Sequence, residues 1–214
     1  MVSTVKDRKT KGKNSKLVVE APVVKQELIK LDLGCGPNKR PGFVGVDNLE
    51  FPGVDVVTDI TKPWPWPDNS VEEAHCSHVV EHLTNFEGKW ERVKFFNELY
   101  RVLIPGGKCS IIIPHWCSNR YYGDPTHREA MSEMAFYYLL RAWRLGDPDK
   151  GVPGNAPHAD VKFNPNGYSC DFDAVWGYAI DGATQLRSQE AQQFAIAHYK
   201  EVILDLHATV TARK

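Results

Sequence analysis

The sequence lacks long apolar runs and paired cysteines. No segment reaches about 18 consecutive apolar residues, so no transmembrane helix is expected, and the first residues lack the apolar core of a secretory signal. The five cysteines form no C-x-x-C pair, which argues against a disulfide framework and predicts a cytoplasmic protein. The formal net charge of −1 argues against a dedicated nucleic-acid binder.

The length of 214 residues and the 42% hydrophobic content suit a single globular domain. Residues 1–16 carry six lysines and arginines against one aspartate, and we expect them to form a disordered basic arm. The domain then spans residues 17–214. Within it, residues 146–167 contain four prolines and four glycines, which predicts a long loop inside an insertion or lid over about residues 115–170.

Short apolar runs alternate with helical periodicity along the chain. Apolar residues spaced three and four apart between Trp90 and Leu103 predict an amphipathic helix that ends before Pro105. Predicted strands cover residues 28–35, 43–47, 54–60, 71–77, 108–114, 171–180 and 202–212, and further helices cover 133–143 and 188–199. This alternation predicts an α/β fold with an open sheet, on which ligands bind at the carboxyl ends of the strands.

Glycine and acidic residues end the first three predicted strands. The first strand runs into Gly34-Cys35-Gly36, where the absence of glycine side chains lets a ligand approach the backbone. Asp47 ends the second strand, and a carboxylate there can accept hydrogen bonds from both hydroxyls of a ribose. Asp59 ends the third strand, where it can accept from an adenine amine or simply form a turn.

The ordered segments LDLGCG, VGVD, TDI and LYRVLIPGGKCSIIIP resemble the class I S-adenosylmethionine-dependent methyltransferases over roughly residues 28–114. The resemblance implies a Rossmann-like sheet, mostly parallel with an antiparallel last strand and with helices on both faces. It also implies methyl transfer from S-adenosylmethionine to an oxygen or nitrogen atom. Residues 36–43 are too few for the usual helical crossover, so we expect a shortened first crossover.

The resemblance further implies positions for the cofactor. The two glycines make room for its methionine part, Asp47 binds the ribose, and Asp59 binds the adenine. Ser77 and His78, after the fourth strand, lie near the sulfonium. The full set of expected cofactor-binding residues is Asp32, Gly34, Cys35, Gly36, Asp47, Asn48, Asp59, Ile60, Ser77 and His78.

Residues 78–82, HVVEH, match the H-x-x-E-H signature of the inverted zinc peptidases. A peptidase of that type needs a long helix with its catalytic glutamate beside the metal. Here the motif directly follows a predicted strand, and Thr84, Asn85 and Gly88 end any helix within about two turns. We therefore exclude a peptidase and interpret the motif as the start of the next helix, which lines the cleft without a metal.

A metal site at the same motif is the alternative. Some branches of the family that the chain resembles carry a Glu-x-x-Glu-His segment here, bind a divalent ion, and methylate catechol-like hydroxyls or RNA ribose. On that resemblance, His78, Glu81 and His82 are candidate ligands for Mg²⁺ or Zn²⁺, with His115 or His127 as a fourth ligand.

The segment PHWCSNRYYGDPTHRE (114–129) follows the fifth strand and so faces the methyl donor in such a fold. Its aromatic residues suit a flat or sugar-like acceptor, and histidine titrates near neutral pH, so that it can remove the acceptor's proton. The candidate catalytic residues are His127, His115 and Tyr121. Alternatively, DPTH is only a proline turn that caps a helix.

The sequence therefore predicts a methyltransferase that uses S-adenosylmethionine and modifies an oxygen or nitrogen of a small-molecule or sugar-like acceptor. No membrane partner is expected. The segment CSHV lacks the D/N-P-P-Y/F motif of nucleic-acid amino methylation, and the paired-glutamate loop of arginine methylation is missing. Two alternatives remain open: a metal-assisted hydroxyl methyltransferase, with RNA ribose among its acceptors, and a non-catalytic cofactor-binding scaffold.

Overall fold

A seven-stranded sheet forms the centre of the structure, a computed structural model that describes residues 28–214. The strands are β1 Ile29–Leu33, β2 Val44–Asp47, β3 Val56–Val57, β4 Val71–Ser77, β5 Leu103–Pro114, β6 Phe172–Ile180 and β7 Ile203–Ala212. Their order is β3-β2-β1-β4-β5-β7-β6. Within this sheet, β7 pairs antiparallel with β5 and with β6, and all other neighbouring strands are parallel. The expected basic arm 1–16 and the domain's first residues, 17–27, lie outside the described residues.

Helices surround this sheet. They are α1 Glu91–Val102, α2 Asn119–Tyr122, α3 Met134–Tyr137, α4 Arg141–Leu145, α5 Gly182–Gln185 and α6 Gln189–His198. The amphipathic pattern predicted α1 closely: it buries Val93, Phe96 and Leu99 in the core and ends before Pro105. Within residues 28–214, no helix is long and apolar enough to cross a membrane. The predicted fold class, a mostly parallel Rossmann-like sheet, is confirmed.

The connection between β1 and β2 contains no helix, as the short sequence between the two strands predicted. Residues 34–43 instead form turns that two aspartates hold in place. Asp32 is buried and accepts a hydrogen bond from the Arg40 amide at 2.7 Å. Asp47 accepts from the Gly36 amide at 2.9 Å. The carboxylates of Asp32, near the end of β1, and Asp47, at the end of β2, therefore shape this loop, which takes the place of the helix found in longer crossovers.

The third strand is shorter than the predicted range 54–60. Only Val56 and Val57 pair with β2, because side chains take over the hydrogen bonds on either side of them. Before the strand, the Asp55 carboxylate accepts from the Gly45 amide at 2.7 Å. After it, Asp59 accepts from the amide and the hydroxyl of Thr61, at 2.9 and 2.7 Å, and forms a turn.

The single helix predicted over 133–143 is wrong: the chain there forms the two short helices α3 and α4. The carbonyl of Tyr138 accepts from the guanidinium of Arg144 at 2.6 Å, and that of Leu139 accepts from the Phe172 amide at 3.0 Å. Because these carbonyls are used by other partners, the helical hydrogen-bond ladder stops at this point. The predicted loop 146–167 is largely irregular and includes a small hairpin, Gly146–Asp147 with Val152–Pro153.

Candidate active site

A cleft of about 630 Å³ lies where the carboxyl ends of β1, β2 and β4 meet the turn that follows β3. Parallel strands bring these ends to one edge of the sheet, which explains why residues from distant segments converge there. The lining residues are Gly34, Asp47, Asn48, Leu49, Asp59, Ile60, Thr61, His78, Val79, His82, Leu83, Glu91 and Thr126.

The glycine turn after β1 forms one wall of the cleft. Gly34 has a φ of +67°, and a Cβ atom added there would lie 2.2 Å from Cγ2 of Val79. Gly36 has a φ of +51° but would meet nothing within 4 Å. The backbone conformation of both positions therefore favours glycine, and Gly34 is further restricted because the segment after β4 packs directly against it.

Two carboxylates, those of Asp47 and Asp59, also line the cleft. The oxygens of Asp47 each accept one backbone hydrogen bond, from Gly36 at 2.9 Å and Leu49 at 3.0 Å. A carboxylate oxygen has a second lone pair, so Asp47 retains acceptor capacity towards the cleft. Both hydrogen bonds from Thr61 go to Oδ1 of Asp59, and the hydroxyl bond is the main reason that the pKa of Asp59 is lowered. No residue among 28–214 donates to Oδ2 of Asp59, so this oxygen can accept from a ligand.

Six of the expected cofactor-binding residues line the cleft: Gly34, Asp47, Asn48, Asp59, Ile60 and His78. The other four do not line it: Asp32, Cys35, Gly36 and Ser77. The carboxylate of Asp32 instead accepts a hydrogen bond from the Arg40 amide in the loop. Cleft residues that the sequence reasoning missed are Leu49, Thr61, Val79, Leu83, Glu91 and Thr126. Leu49 and Thr61 directly follow residues already assigned to the cofactor, so a wider margin at each strand end would have included them.

The HVVEH segment does not begin a helix, contrary to the sequence-based prediction. His78 adopts a left-handed φ of +56°, and a single 3-10 turn over Val80–His82 follows. The carbonyl of Glu81 accepts from the amide of Arg128 at 2.8 Å, and the guanidinium of Arg92 contacts the carbonyls of Val80 and Leu83. These tertiary bonds occupy carbonyls that helix propagation would need, and the helix starts only at Glu91.

The carboxylate of Glu81 is buried beside the cleft. Its side chain is 1% exposed, and neither oxygen has a hydrogen-bond partner of good geometry among the described residues. Two imidazole nitrogens lie close to it: Nδ1 of His78 is 3.3 Å from Oε1, and Nε2 of His127 is 3.9 Å from the same oxygen. Contact with this carboxylate is the main reason that the pKa of His78 is raised.

His127 is held in a fixed orientation next to Glu81. Its Nδ1 lies 2.6 Å from the carbonyl oxygen of Tyr121, and the Tyr121 ring stacks on the imidazole at 5.3 Å. A carbonyl oxygen can only accept, so Nδ1 carries the proton and the lone pair of the neutral ring is on Nε2. His82 lies against the same ring, with the two centroids 4.8 Å apart. Tyr121 therefore orients His127, and its own pKa is raised by burial.

The structure places His115 in a separate cluster. Its side chain is buried, Nδ1 lies 2.9 Å from Sγ of Cys117, and Nε2 lies 3.0 Å from Oε1 of Glu133, which also accepts from the Tyr178 hydroxyl. Neither His115 nor any of these partners lines the cleft. Because both of its ring nitrogens are engaged, His115 is poorly suited to take a proton from a ligand in the cleft.

A family model described as a methyltransferase domain matches residues 39–111. Among solved structures, the chain is similar to a SAM-dependent methyltransferase from Archaeoglobus fulgidus, with 18% identity, 87% of each chain covered and a TM-score of 0.54. It is also similar to an S-adenosylmethionine-dependent methyltransferase from Mesorhizobium loti, with 15% identity, a TM-score of 0.44, and 86% of this chain and 90% of the other covered. No curated protein matches the sequence.

The family match and the fold agree with each other. The matched residues carry β2 to β5 and α1 up to Ile111, and the sheet is parallel except for the pairings of its last strand. Residues 39–111 therefore match a methyltransferase domain, and the chain has the fold of the similar SAM-dependent methyltransferase from Archaeoglobus fulgidus.

Proposed function

We propose that the cleft binds S-adenosylmethionine and that the protein transfers its methyl group to an oxygen or nitrogen of a small-molecule or sugar-like acceptor. The observation that carries this proposal is the combination of Gly34, Asp47 and Asp59 along one cleft at the carboxyl ends of the strands. The cofactor supplies an electrophilic methyl carbon on a sulfonium. The protein itself then has to bind the cofactor and the acceptor, orient them, and remove the acceptor's proton.

The cofactor half of the cleft fits a nucleoside joined to an amino acid. Gly34 lines the cleft beside Val79, which packs directly against it. Asp47, with a free lone pair on each oxygen, suits the two ribose hydroxyls, and Oδ2 of Asp59 suits an exocyclic amine beside Ile60. In this proposal, Asp32 acts indirectly by holding the Arg40 loop over the methionine part.

The acceptor half is formed by His78, His82 and Thr126, which line the same cleft. An acceptor held there would have its nucleophilic atom aligned with the methyl carbon, and such alignment can supply roughly 7–11 kcal/mol of the barrier reduction. A proton leaving the acceptor would pass to Nε2 of His127, whose other nitrogen is fixed by the Tyr121 carbonyl. His127 is therefore the proposed base, and Tyr121 positions it.

Titration calorimetry with S-adenosylmethionine and S-adenosylhomocysteine tests the proposal. The wild-type protein should bind each at one site. Asp47→Ala should weaken binding about 10- to 100-fold, because hydrogen bonds to a charged group contribute about 1.5–3 kcal/mol. The matched control is Glu50→Gln, which changes a nearby carboxylate that does not line the cleft, and its affinity should equal that of the wild type. If folded wild-type protein binds neither compound, the proposal is wrong.

A non-catalytic cofactor-binding scaffold differs from this proposal in one measurable respect. An enzyme releases S-adenosylhomocysteine when it is given S-adenosylmethionine and a panel of hydroxyl- and amine-bearing acceptors, including sugars. A scaffold would bind the cofactor and release none with any acceptor. The ordered histidine cluster beside the cleft favours the enzyme.

A further inference from the structure

We propose that Glu81, His82 and His127 form a binding site for a divalent first-row transition-metal ion. One ligand atom from each of these side chains lies within 4.8 Å of the others. The three residues come from two segments, the turn after β4 and the DPTH segment, and the site sits at the acceptor half of the cleft. This inference goes beyond the proposed function, because metal binding is measurable without a cofactor or an acceptor.

The first argument is the state of the Glu81 carboxylate. It is 1% exposed, and neither oxygen has a well-formed hydrogen bond to any described residue. Among residues 28–214, no lysine or arginine forms an ion pair with it; Arg92, the nearby buried cation, pairs with Glu129 instead. A buried carboxylate without hydrogen bonds is unfavourable unless a cation compensates it. A metal ion would supply that compensation.

The second argument is the orientation of the two imidazoles. Nδ1 of His127 lies 2.6 Å from the Tyr121 carbonyl. Nδ1 of His82 lies 3.3 Å from the Thr126 carbonyl and 3.2 Å from the Thr126 hydroxyl, which itself donates to Asp124 and so can accept from His82. Both Nδ1 atoms are thus donors, and both Nε2 lone pairs are left for a ligand. Metal-binding histidines almost always donate their second ring N–H to a carbonyl, carboxylate or water in this way. The backbone therefore fixes the tautomer that a metal site requires.

The ligand set points to a particular class of ion. Two imidazoles and one carboxylate suit zinc and its neighbours, whereas Mg²⁺ prefers oxygen ligands and retains its waters. Three protein ligands leave at least one coordination position open, and His82 lines the cleft. An ion there would lower the pKa of an oxygen that it binds. On the proposed function, this favours a hydroxyl as the acceptor; in the metal-bound protein His127 would be a ligand, and the base role proposed above would apply to the metal-free protein.

His78 was one of the sequence-based metal candidates, with Glu81 and His82. The structure groups Glu81 and His82 with His127 instead. His78 contacts Oε1 of Glu81 at 3.3 Å through Nδ1 and is about half exposed. It can therefore pair with the carboxylate while the metal is absent. His115, the other candidate fourth ligand, is engaged by Cys117 and Glu133.

The test uses tag-free, full-length protein freed of metal with EDTA. Co²⁺ is titrated while its visible absorption is recorded, and Zn²⁺ and Mg²⁺ are titrated by calorimetry. We expect one Co²⁺ or Zn²⁺ per chain, a cobalt spectrum typical of nitrogen and oxygen ligands, and no comparable heat with Mg²⁺. Glu81→Gln should weaken Co²⁺ binding by at least about 100-fold, more than the loss of an outer-shell partner would.

Two further variants keep the test decisive. Glu91→Gln alters another cleft carboxylate outside the cluster and should bind Co²⁺ as the wild type does. His127→Gln removes a second ligand, so that the result does not depend on one variant. In the metal-free state, Glu81→Gln should be at least as stable as the wild type, because it replaces a buried charge with a neutral group of similar shape. The proposal is overturned if folded wild-type protein binds neither Co²⁺ nor Zn²⁺, or if Glu81→Gln leaves Co²⁺ binding unchanged.

Discussion

The contact between Gly34 and Val79 gives a quantitative prediction about the wall of the cleft. An alanine at either Gly34 or Gly36 must adopt a left-handed backbone, which costs about 1–2 kcal/mol. At Gly36 that is the whole effect, since nothing lies within 4 Å of the added Cβ. At Gly34 the Cβ would also lie 2.2 Å from Cγ2 of Val79, and relieving such overpacking costs a further 1–3 kcal/mol, roughly.

Equilibrium unfolding in urea, without cofactor, measures this difference. We expect Gly34→Ala to lower the free energy of unfolding by about 2–5 kcal/mol and Gly36→Ala by about 1–2 kcal/mol. Loss of unfolded-chain entropy on replacing glycine by alanine affects both variants alike and cancels in the comparison.

A double-mutant cycle with Val79→Ala identifies the cause. Without its γ carbons, the nearest atom of residue 79 is Cβ, which would lie 3.4 Å from the new side chain. The two substitutions should therefore be less destabilising together than their sum, by about 1–3 kcal/mol. Equal destabilisation by the two alanines, or additive behaviour in the cycle, would refute the close packing inferred for this wall.

Two other predictions concern charged groups outside the cleft. The hydrogen bond from Arg101 lowers the pKa of Glu98 in the folded protein. This bond therefore stabilises the protein above about pH 4.3, the pKa of glutamate in the unfolded chain, and the stabilisation is lost as the pH falls through the pKa of Glu98 in the folded protein. Glu98→Gln should therefore lower the free energy of unfolding at pH 7. In urea unfolding, the difference in this free energy between the variant and the wild type should become smaller below about pH 4.3. A difference that does not change with pH would contradict this. A buried ion pair joins Arg144 and Asp160 at 2.8 Å, with side-chain exposures of 0% and 1%. Asp160→Leu would leave the arginine charge unpaired and should lower the free energy of unfolding by about 3–5 kcal/mol. A loss below about 1 kcal/mol would show that the pair is not structurally important.

The strand ends were predictable because their chemistry is local. Each strand and the residue that ends it are adjacent in sequence, and parallel topology alone brings the ends together. Gly34, Asp47 and Asp59 therefore line the cleft as the pattern indicated. The exact length of β3 was not predictable in the same way, because Asp55 and Asp59 take backbone partners that compete with strand pairing.

The features that the sequence did not predict depend on contacts between distant segments. The break between α3 and α4 follows from Arg144 and Phe172 binding carbonyls in the middle of a good helical pattern. The turn at Glu81 follows from the amide of Arg128, which binds its carbonyl. That same contact brings His127 next to Glu81. Helical periodicity carries no information about such partners, which explains why the motif was expected to begin a helix.

A crystal structure of the protein with S-adenosylhomocysteine would test the location of the cofactor site most directly. We expect the ribose hydroxyls within hydrogen-bond distance of Asp47, the adenine amine near Oδ2 of Asp59, and the sulfur directed towards His78 and His82. The compound bound elsewhere, or bound in the cleft without contact to Asp47, would contradict the proposed site.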